Sequence, residues 1–484
     1  MTVKDYKCVP IKDKLVVVNI DKEIIEPKSS GFMYFAALSA LLGGLSAGLV
    51  MGYTSPALAS MSRVDSVPRI VKQDIKSWIS SLAAAGALIG ALFAGPICSK
   101  FGRRPSLIFN NLTMIIGWSF IIFSKSVWSV IAGRVVTGIA AGFMSGCVPL
   151  YLLEICPVSV RGFFGSGFQL ANVTGILLVN IMGVFLNWKY LAIGCCVPPV
   201  IMPFLMAMVP ETPIYLMNKF GDCKETLSSL RKMRRQKDIT DEFEELKNQP
   251  KDKQPMILGV RELRDPLVYT PLLLSLGLFV FQQFSGITAI MFYQADIFRQ
   301  SGSALNANLC AVITNFIQVV ATLIAAFVVD KFGRKLLLYA SSTGHVISLT
   351  LLSIYFWKKD DPTFASQFGW LSLVSLSIFL IAYSVGFGPI PWMMGSEMTP
   401  FSARSFVAAV SGSFNWSLGF LIANQFKTLQ WVLGLPGTYG LFAAMSFISL
   451  LFVKFCLPET SGKTLEEVQK NFQKSSKSDQ VSHV

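Results

Sequence analysis

The chain has 484 residues, of which 52% are hydrophobic and 14% charged, and its mean hydropathy is +0.55. This composition excludes a soluble multidomain protein, an intrinsically disordered chain and a small disulfide-linked secreted domain. The net charge of +14 is divided among short basic clusters between apolar runs, which favours membrane topology over a nucleic-acid-binding patch.

Residues 1–31 are polar and of mixed charge, and they lack the short apolar core of a signal peptide, so we expect a cytoplasmic tail. The apolar runs that follow are about twenty residues long and continuous, which excludes alternating barrel strands and predicts about twelve transmembrane helices. The runs begin near Phe32, Ser77, Ser106, Val127, Phe163, Tyr190, Pro271, Leu305, Leu336, Gly369, Ser405 and Pro436.

Two groups of six runs flank a long polar stretch. We therefore predict an all-α, multi-pass membrane protein with six-helix bundles at 32–209 and 267–457, a linker at 210–266 and a tail at 458–484. Most Lys and Arg residues fall on the side of the linker and both termini, and the positive-inside rule places that side in the cytoplasm. Helical spacing of apolar residues predicts short helices at Asp222–Arg235 and Thr240–Asn248 in the linker.

Charged motifs occur twice, in the same order and at similar offsets. Gly102-Arg103-Arg104 pairs with Gly333-Arg334-Lys335, Glu154 and Arg161 with Glu397 and Arg404, and Pro210-Glu211-Thr212 with Pro458-Glu459-Thr460. This order indicates a duplicated six-helix unit. Parallel repeats of this kind are typical of rocking transporters, whose substrate site lies near the midplane between the halves.

These motifs are joined by others along the chain: Gly52-Tyr53, Gly133-Arg134, Gln169, Gln282-Gln283 with Ser285-Gly286, Asn315, Asp330, Gly388-Pro389-Ile390-Pro391-Trp392 and Asn415-Trp416. Together they resemble the sugar porter family of the major facilitator superfamily, over about Gly31 to Glu467. The stretches around Tyr53 and Gly388 are most similar to the branch of insect facilitated trehalose transporters and related hexose facilitators. The resemblance implies the major facilitator fold of two six-helix repeats.

A sugar carries many hydroxyls and no charge, so its pocket needs side chains that both donate and accept hydrogen bonds, together with aromatic faces. Amides in apolar helices are costly to bury unpaired, and they serve either such a ligand or contacts between helices. By resemblance, the sugar-binding residues are Gln169, Gln282, Gln283, Thr288, Asn315, Trp392, Asn415 and Trp416. A tryptophan in a membrane protein is also a common interfacial anchor, which is the alternative for Trp392.

The charged motifs lie at predicted cytoplasmic helix ends. We expect carboxylate–arginine pairs there to tie the two halves in one conformation and to separate in the other. The residues of this network are Arg103, Arg104, Glu154, Arg161, Asp330, Arg334, Lys335, Glu397 and Arg404. The alternative, that the charges only set topology, does not explain the repeated glutamates.

Several positions depart from the family pattern. Thr54 stands where the symporters of the family carry an aspartate, and no Asp or Glu lies deep in a predicted span, which favours downhill uniport over proton symport. Lone His345 in span 9 is better explained by packing than by proton transfer. Thr288 and Gly419 replace asparagines of many glucose facilitators, and they thin the polar lining of the pocket.

The sequence thus predicts facilitative transport of a sugar, hexose or trehalose, by alternating access. A proton-coupled symporter and a sugar sensor are the alternatives. No nucleophile–base pair, metal-ligand cluster or phosphate loop is apparent, so we expect no enzyme, no cofactor and no metal. The predicted partners are a small sugar and the lipid bilayer, without nucleic acid, and we expect a monomer in the plasma membrane with both termini cytoplasmic.

Overall fold

The computed structural model describes residues 30–221, 223–234, 239–248, 265–302, 306–400, 403–461, 463 and 467–469. The terminal tails before residue 30 and after residue 469, and most of the second part of the linker, lie outside this range. The helices of the first half are α1 (Gly31–Gly52), α2 (Thr54–Met61), α3 (Gln73–Phe101), α4 (Arg103–Ile122), α5 (Val127–Ile155), α6 (Val158–Phe185) and α7 (Trp188–Met208).

Three short helices follow the first half. They are α8 (Pro213–Phe220), α9 (Lys224–Met233) and α10 (Thr240–Asn248). Met217, Leu230, Ile239 and Phe243 form a small core among them. Both helices predicted in the linker are present, as α9 and α10. The start of α1 is held against this unit because Ser30 donates to the carbonyl oxygen of Lys232.

The second half contains α11 (Pro266–Phe284), α12 (Ile287–Ser301), α13 (Ala307–Phe332), α14 (Arg334–Lys358), α15 (Pro362–Phe368), α16 (Leu371–Val385), α17 (Ile390–Met398) and α18 (Arg404–Phe455). Within the described residues, 11 helical stretches are long and apolar enough to cross a membrane. The last, α18, turns at Gly434, whose φ of 69° is in the left-handed region. It therefore holds two spans, and the predicted twelve-span layout is confirmed.

Three spans are each built from two helices. Span 1 comprises α1 and α2, span 7 comprises α11 and α12, and span 10 comprises α16 and α17. The backbone of span 1 stays helical at Tyr53, whereas spans 7 and 10 are broken at Gly286 and Gly386. Broken helices expose backbone groups at membrane depth, and they are tolerated where protein or a cavity satisfies those groups. In transporters built from repeats, such breaks mark the substrate site.

Backbone contact between helices depends on glycine. Gly86 and Gly90 of α3 face the carbonyl oxygens of Val135 and Ile139 on α5, so closely that an added Cβ would lie 2.2 and 1.9 Å from them. Small residues allow such approach in membranes, where helix association depends on packing contacts. The glycine-rich stretches are therefore packing surfaces.

The two halves exchange hydrogen bonds at the end of the bundle opposite the linker, which we call the far end. The backbone N–H of Ala295 donates to Ser55 Oγ at 3.0 Å, and Asn424 donates to Ser81 Oγ at 3.1 Å. At the linker end, the described contact between halves includes the rings of Phe163 and Phe327, whose centroids are 5.8 Å apart. The far end is thus held shut by polar contacts.

The α3–α5 contact gives a direct test of the packing. Replacing Gly90 with Ala should destabilise the protein by about 1–3 kcal/mol, because the new Cβ meets backbone that no rotamer change can move. Thermal unfolding of purified protein measures the effect. Gly95→Ala in the same helix is the control, since nothing lies within 4 Å of its added Cβ. Equal midpoints for the two variants would contradict this account.

Candidate functional site

The break in span 7 sets the position of two neighbouring glutamines. Gln282 and Gln283 lie in the last turn of α11. Ser285 Oγ donates to the Gln282 carbonyl oxygen, and Gly286 adopts φ of 86° before α12 begins. Only glycine takes this conformation at little cost, so the Ser-Gly pair is what turns the chain here. Both amides are buried, at 1% and 5% exposure.

Gln282 is oriented by contacts to span 10. Its Nε2 donates to the carbonyl oxygen of Phe387 and to Tyr383 Oη, the latter at 3.3 Å. A carbonyl only accepts hydrogen bonds, so it must face the amide nitrogen, and Oε1 points elsewhere. Among the described residues this buried Oε1 has no partner. Its direction is fixed by the two bonds of Nε2.

Gln283 belongs to a chain of three polar side chains. Its Nε2 donates to Asn415 Oδ1 on α18 at 2.8 Å, and Thr288 Oγ1 donates to its Oε1. The three predicted binding residues Gln283, Thr288 and Asn415 are thus brought together across spans 7 and 11. Because both ends of Gln283 are engaged, its role in this conformation is to hold Asn415.

The two positions that depart from the family pattern lie against each other. A Cβ added at Gly419 would meet Thr288 Oγ1 at 3.5 Å and Gln283 Oε1 at 3.6 Å, which is ordinary van der Waals contact. Gly419 therefore leaves the polar edge of Gln283 uncovered. The two positions that the sequence predicts to thin the polar lining are therefore adjacent.

Asn315 joins a further polar cluster that sequence reasoning missed. Its Nδ2 donates to Gln294 Oε1 at 3.0 Å, and Gln294 Nε2 donates to Thr314 Oγ1 at 2.7 Å. Gln294 is a buried amide of α12, and its residue type in an apolar run was a visible signal. The family motifs did not include it.

The remaining predicted residues are less tightly connected. Trp392 packs edge-on against Phe279 of α11, with ring centroids 4.9 Å apart, and lies beside Gly412. Trp392 as a whole is 38% exposed. Trp416 is half-buried, and in the part of the chain described its Nε1 has no partner. Gln169 is half-buried on α6, and no described contact connects it with the other predicted residues.

A buried cation occupies the first half. Arg134 is fully buried in α5 and donates to the carbonyl oxygens of Val50 and Ile79 and, at 2.7 Å, to Thr54 Oγ1. The ring of Tyr53 lies 5.7 Å from the guanidinium carbon. A buried charge requires compensation, which these oxygens and the aromatic face supply. Thr54 is thus the residue that faces the cation.

The charge network of the first half joins three spans at the linker end. Arg103 makes a two-nitrogen contact with Glu154 Oε1 at 3.0 and 2.6 Å, and Thr212 donates to Glu154 Oε2. The Glu211 carboxylate accepts the backbone N–H of Arg104. Arg104 itself reaches the carbonyl oxygens at the end of α7.

The second half repeats these contacts residue for residue. Arg334 donates through two nitrogens to Glu397 Oε1 at 3.2 and 3.0 Å, and Thr460 donates to Glu397 Oε2. The Glu459 carboxylate accepts the backbone N–H groups of Arg334 and Lys335. These pairs brace each half internally. The expectation that the charges also tie one half to the other stays a prediction.

The side chains of Arg161 and Asp330 lie outside the described residues, so their contacts are not assigned. Arg404 begins α18 and is half-buried at the linker end, as predicted.

The duplicated acceptors differ in electrostatics. Burial raises the pKa of Glu211 above its ordinary value, although two backbone N–H groups act in the opposite direction. Burial also acts to raise the pKa of Glu459, but four backbone N–H donors outweigh it and lower the pKa. The second-half loop therefore holds its carboxylate more firmly ionised.

Comparison with known proteins gives the family. The family model described as "Sugar (and other) transporter" matches residues 36–472. The facilitated trehalose transporter Tret1 of Apis mellifera ligustica is 35% identical over 481 residues, which cover 97% of this chain and 94% of that protein. Tret1 of Drosophila yakuba is 36% identical over 439 residues, covering 90% of this chain and 51% of that protein. The chain thus spans about half the length of the latter relative.

Solved structures show the same fold. The proton:xylose symporter XylE bound to 6-bromo-6-deoxy-D-glucose matches with a TM-score of 0.75 and 25% identity, over 92% of this chain and 100% of that chain. The inward-open xylose transporter XylE from E. coli matches with a TM-score of 0.74 and 24% identity, over 90% and 99% of the two chains. The chain therefore belongs to the sugar porter family of the major facilitator superfamily, and it is a sugar transporter and not an enzyme.

Proposed function

We propose that this transporter moves its sugar downhill as a uniporter, with trehalose or a hexose as substrate. The observation that carries uniport is the contact between Arg134 and the hydroxyl of Thr54. A proton-coupled mechanism needs a group that gains and loses a proton beside such a cation. The threonine hydroxyl does not ionise at physiological pH. The charge of Arg134 is therefore stabilised by neutral groups only.

The proposed sugar site lies around the break of span 7. Gln282 Oε1 supplies a buried acceptor, and the Thr288–Gln283–Asn415 chain fixes the amide of Asn415 nearby. The Trp392 ring offers an apolar face to the C–H side of a sugar ring. Neutral donors and acceptors with an aromatic wall suit a polyhydroxyl ligand without charge.

The choice between trehalose and hexose rests on two features. The relatives that are 35% and 36% identical are named as trehalose transporters. Gly419 places no side chain against Gln283 and Thr288, where a larger residue would take up volume. Both favour the larger disaccharide.

We propose alternating access by movement of the two halves relative to each other. In this conformation Ser55–Ala295 and Asn424–Ser81 close the far end, which the positive-inside rule makes the external end. Rocking of the halves would break these bonds and close the linker end instead. Because the pathway lies within one chain, we propose a functional monomer, in the plasma membrane with both termini cytoplasmic.

Proton symport is the second candidate, favoured by the likeness to the proton:xylose symporter. Asp296 of α12 is a carboxylate near the far end, and it contacts Lys427. Transport measurements at varied pH separate the two candidates.

Flux of labelled trehalose and glucose into proteoliposomes tests the substrate. We expect saturable uptake that stops at equal concentrations. Gln282→Ala should lower kcat/KM about tenfold or more, because it removes the fixed acceptor and its anchoring bonds. Asn180→Ala is the control, a buried amide that donates to the Ile176 carbonyl oxygen of its own helix. Equal losses in both variants would refute the assigned role of Gln282.

The pH dependence of flux tests the coupling. Uptake by the unmodified chain should not change between external pH of about 5 and 8, and no sugar should accumulate above the external concentration. Thr54→Asp places a titratable carboxylate against Arg134 and should make uptake depend on pH. Accumulation driven by a pH gradient in the unmodified chain would overturn uniport.

Charge exchange at the linker end tests the network. Glu397→Lys should lower transport about tenfold, because it sets two cations against each other where Arg334 now binds a carboxylate. Adding Arg334→Glu should restore part of the flux. Lys331→Glu reverses an exposed charge at the same membrane face and should have little effect. Unaltered transport in Glu397→Lys would count against any role in the transport cycle.

A further inference from the structure

The break of span 10 frees the backbone of Phe387, and side chains from two other spans satisfy it. The N–H of Phe387 donates to Ser341 Oγ of α14 at 3.2 Å. The carbonyl oxygen accepts Gln282 Nε2 of α11. Backbone groups buried in a membrane protein must be paired internally, so both contacts are required by the break.

The Phe387 ring is held as well. It lies against His345, with centroids 5.9 Å apart and ring planes at 28°. His345 also stacks on Phe379 of α16 at 4.6 Å. Ser341 and His345 are four residues apart, so they lie on one face of α14. Both are buried, at 0% and 1% exposure.

Helix α14, which forms span 9, packs closely against the break of span 10 at Gly386. A Cβ on Gly386 would lie 2.4 Å from Ser341 Cβ and 2.7 Å from the Leu337 carbonyl oxygen. The break can therefore approach α14 only because residue 386 is glycine. Movement of α14 at this point must displace Phe387.

We propose that Ser341 and His345 are positioning residues for Gln282, acting through Phe387. We call the four residues Ser341, His345, Phe387 and Gln282 the Phe387 clamp. With Phe387 fixed, its carbonyl oxygen holds the amide nitrogen of Gln282, and Oε1 faces the ligand. With Phe387 released, the Gln282 amide loses the contact that distinguishes its two ends. The inference rests on the proposed function only in assigning Oε1 to a sugar hydroxyl.

Transport kinetics of clamp variants provide the first test. Ser341→Ala and His345→Leu should each raise KM for the transported sugar about five- to tenfold, with a smaller change in kcat. His345→Phe should restore a KM within about twofold of the unmodified chain, because it keeps a flat ring and the histidine Nε2 has no partner among the described residues. Ser348→Ala is the matched control, a buried serine bonded to its own helix.

A double-mutant cycle separates positioning from general packing. In a Gln282→Asn background, whose shorter side chain cannot hold Phe387 in the same way, Ser341→Ala should add little to KM. Effects that multiply independently in the double variant would overturn the proposal. So would a His345→Phe variant as impaired as His345→Leu.

The same double-mutant cycle can be measured by thermal unfolding, which requires no sugar. Non-additive shifts of the unfolding midpoint for Ser341→Ala and Gln282→Asn would support the clamp, and additive shifts would contradict it. If the unmodified chain moves neither trehalose nor glucose, the proposed function fails, while the unfolding cycle still decides whether the clamp exists.

Discussion

Every polar group that these spans bury must find its partner inside the protein, because the bilayer offers none. This constraint explains why the broken spans and the amide side chains occur together. The break of span 10 leaves Phe387 with free backbone groups, and Ser341 and Gln282 satisfy them. Because those bonds consume one end of Gln282, its other end is presented in a fixed direction. The structural requirement thus fixes the direction of the acceptor that we propose as a sugar-binding group.

The same pairing of polar groups occurs at the linker end, once in each half. In each half an arginine binds a glutamate, a threonine donates to the second oxygen of that glutamate, and a second glutamate accepts backbone N–H groups at a helix start. Helix N-termini attract negative charge through their unpaired N–H groups. The contacts are therefore those that a helix start at a membrane surface favours, used twice. The halves differ in the burial of these carboxylates. The pKa of Glu211 is raised, whereas that of Glu459 is lowered.

Sequence alone predicted the class, the twelve spans and the repeat, because length, apolar continuity and charge position are local properties. The role of the charge network stays a prediction. It also predicted that Gln283, Thr288 and Asn415 would serve one site. It did not predict that Gln282 donates to a backbone carbonyl, that Gln294 joins Asn315, or that Gly419 lies against Thr288. Those contacts depend on how spans 7, 8, 10 and 11 cross, which no motif spacing records.

Arg134 connects the fold with the energetics of transport. A guanidinium buried in a membrane protein is normally neutralised by a carboxylate, and a carboxylate in such a place can bind and release protons. Here two carbonyl oxygens, a hydroxyl and an aromatic face share that task. None of them changes charge near neutral pH, so the free energies of the two conformations do not depend on a proton at this site. This is the physical basis on which we propose a cycle driven by the sugar gradient alone.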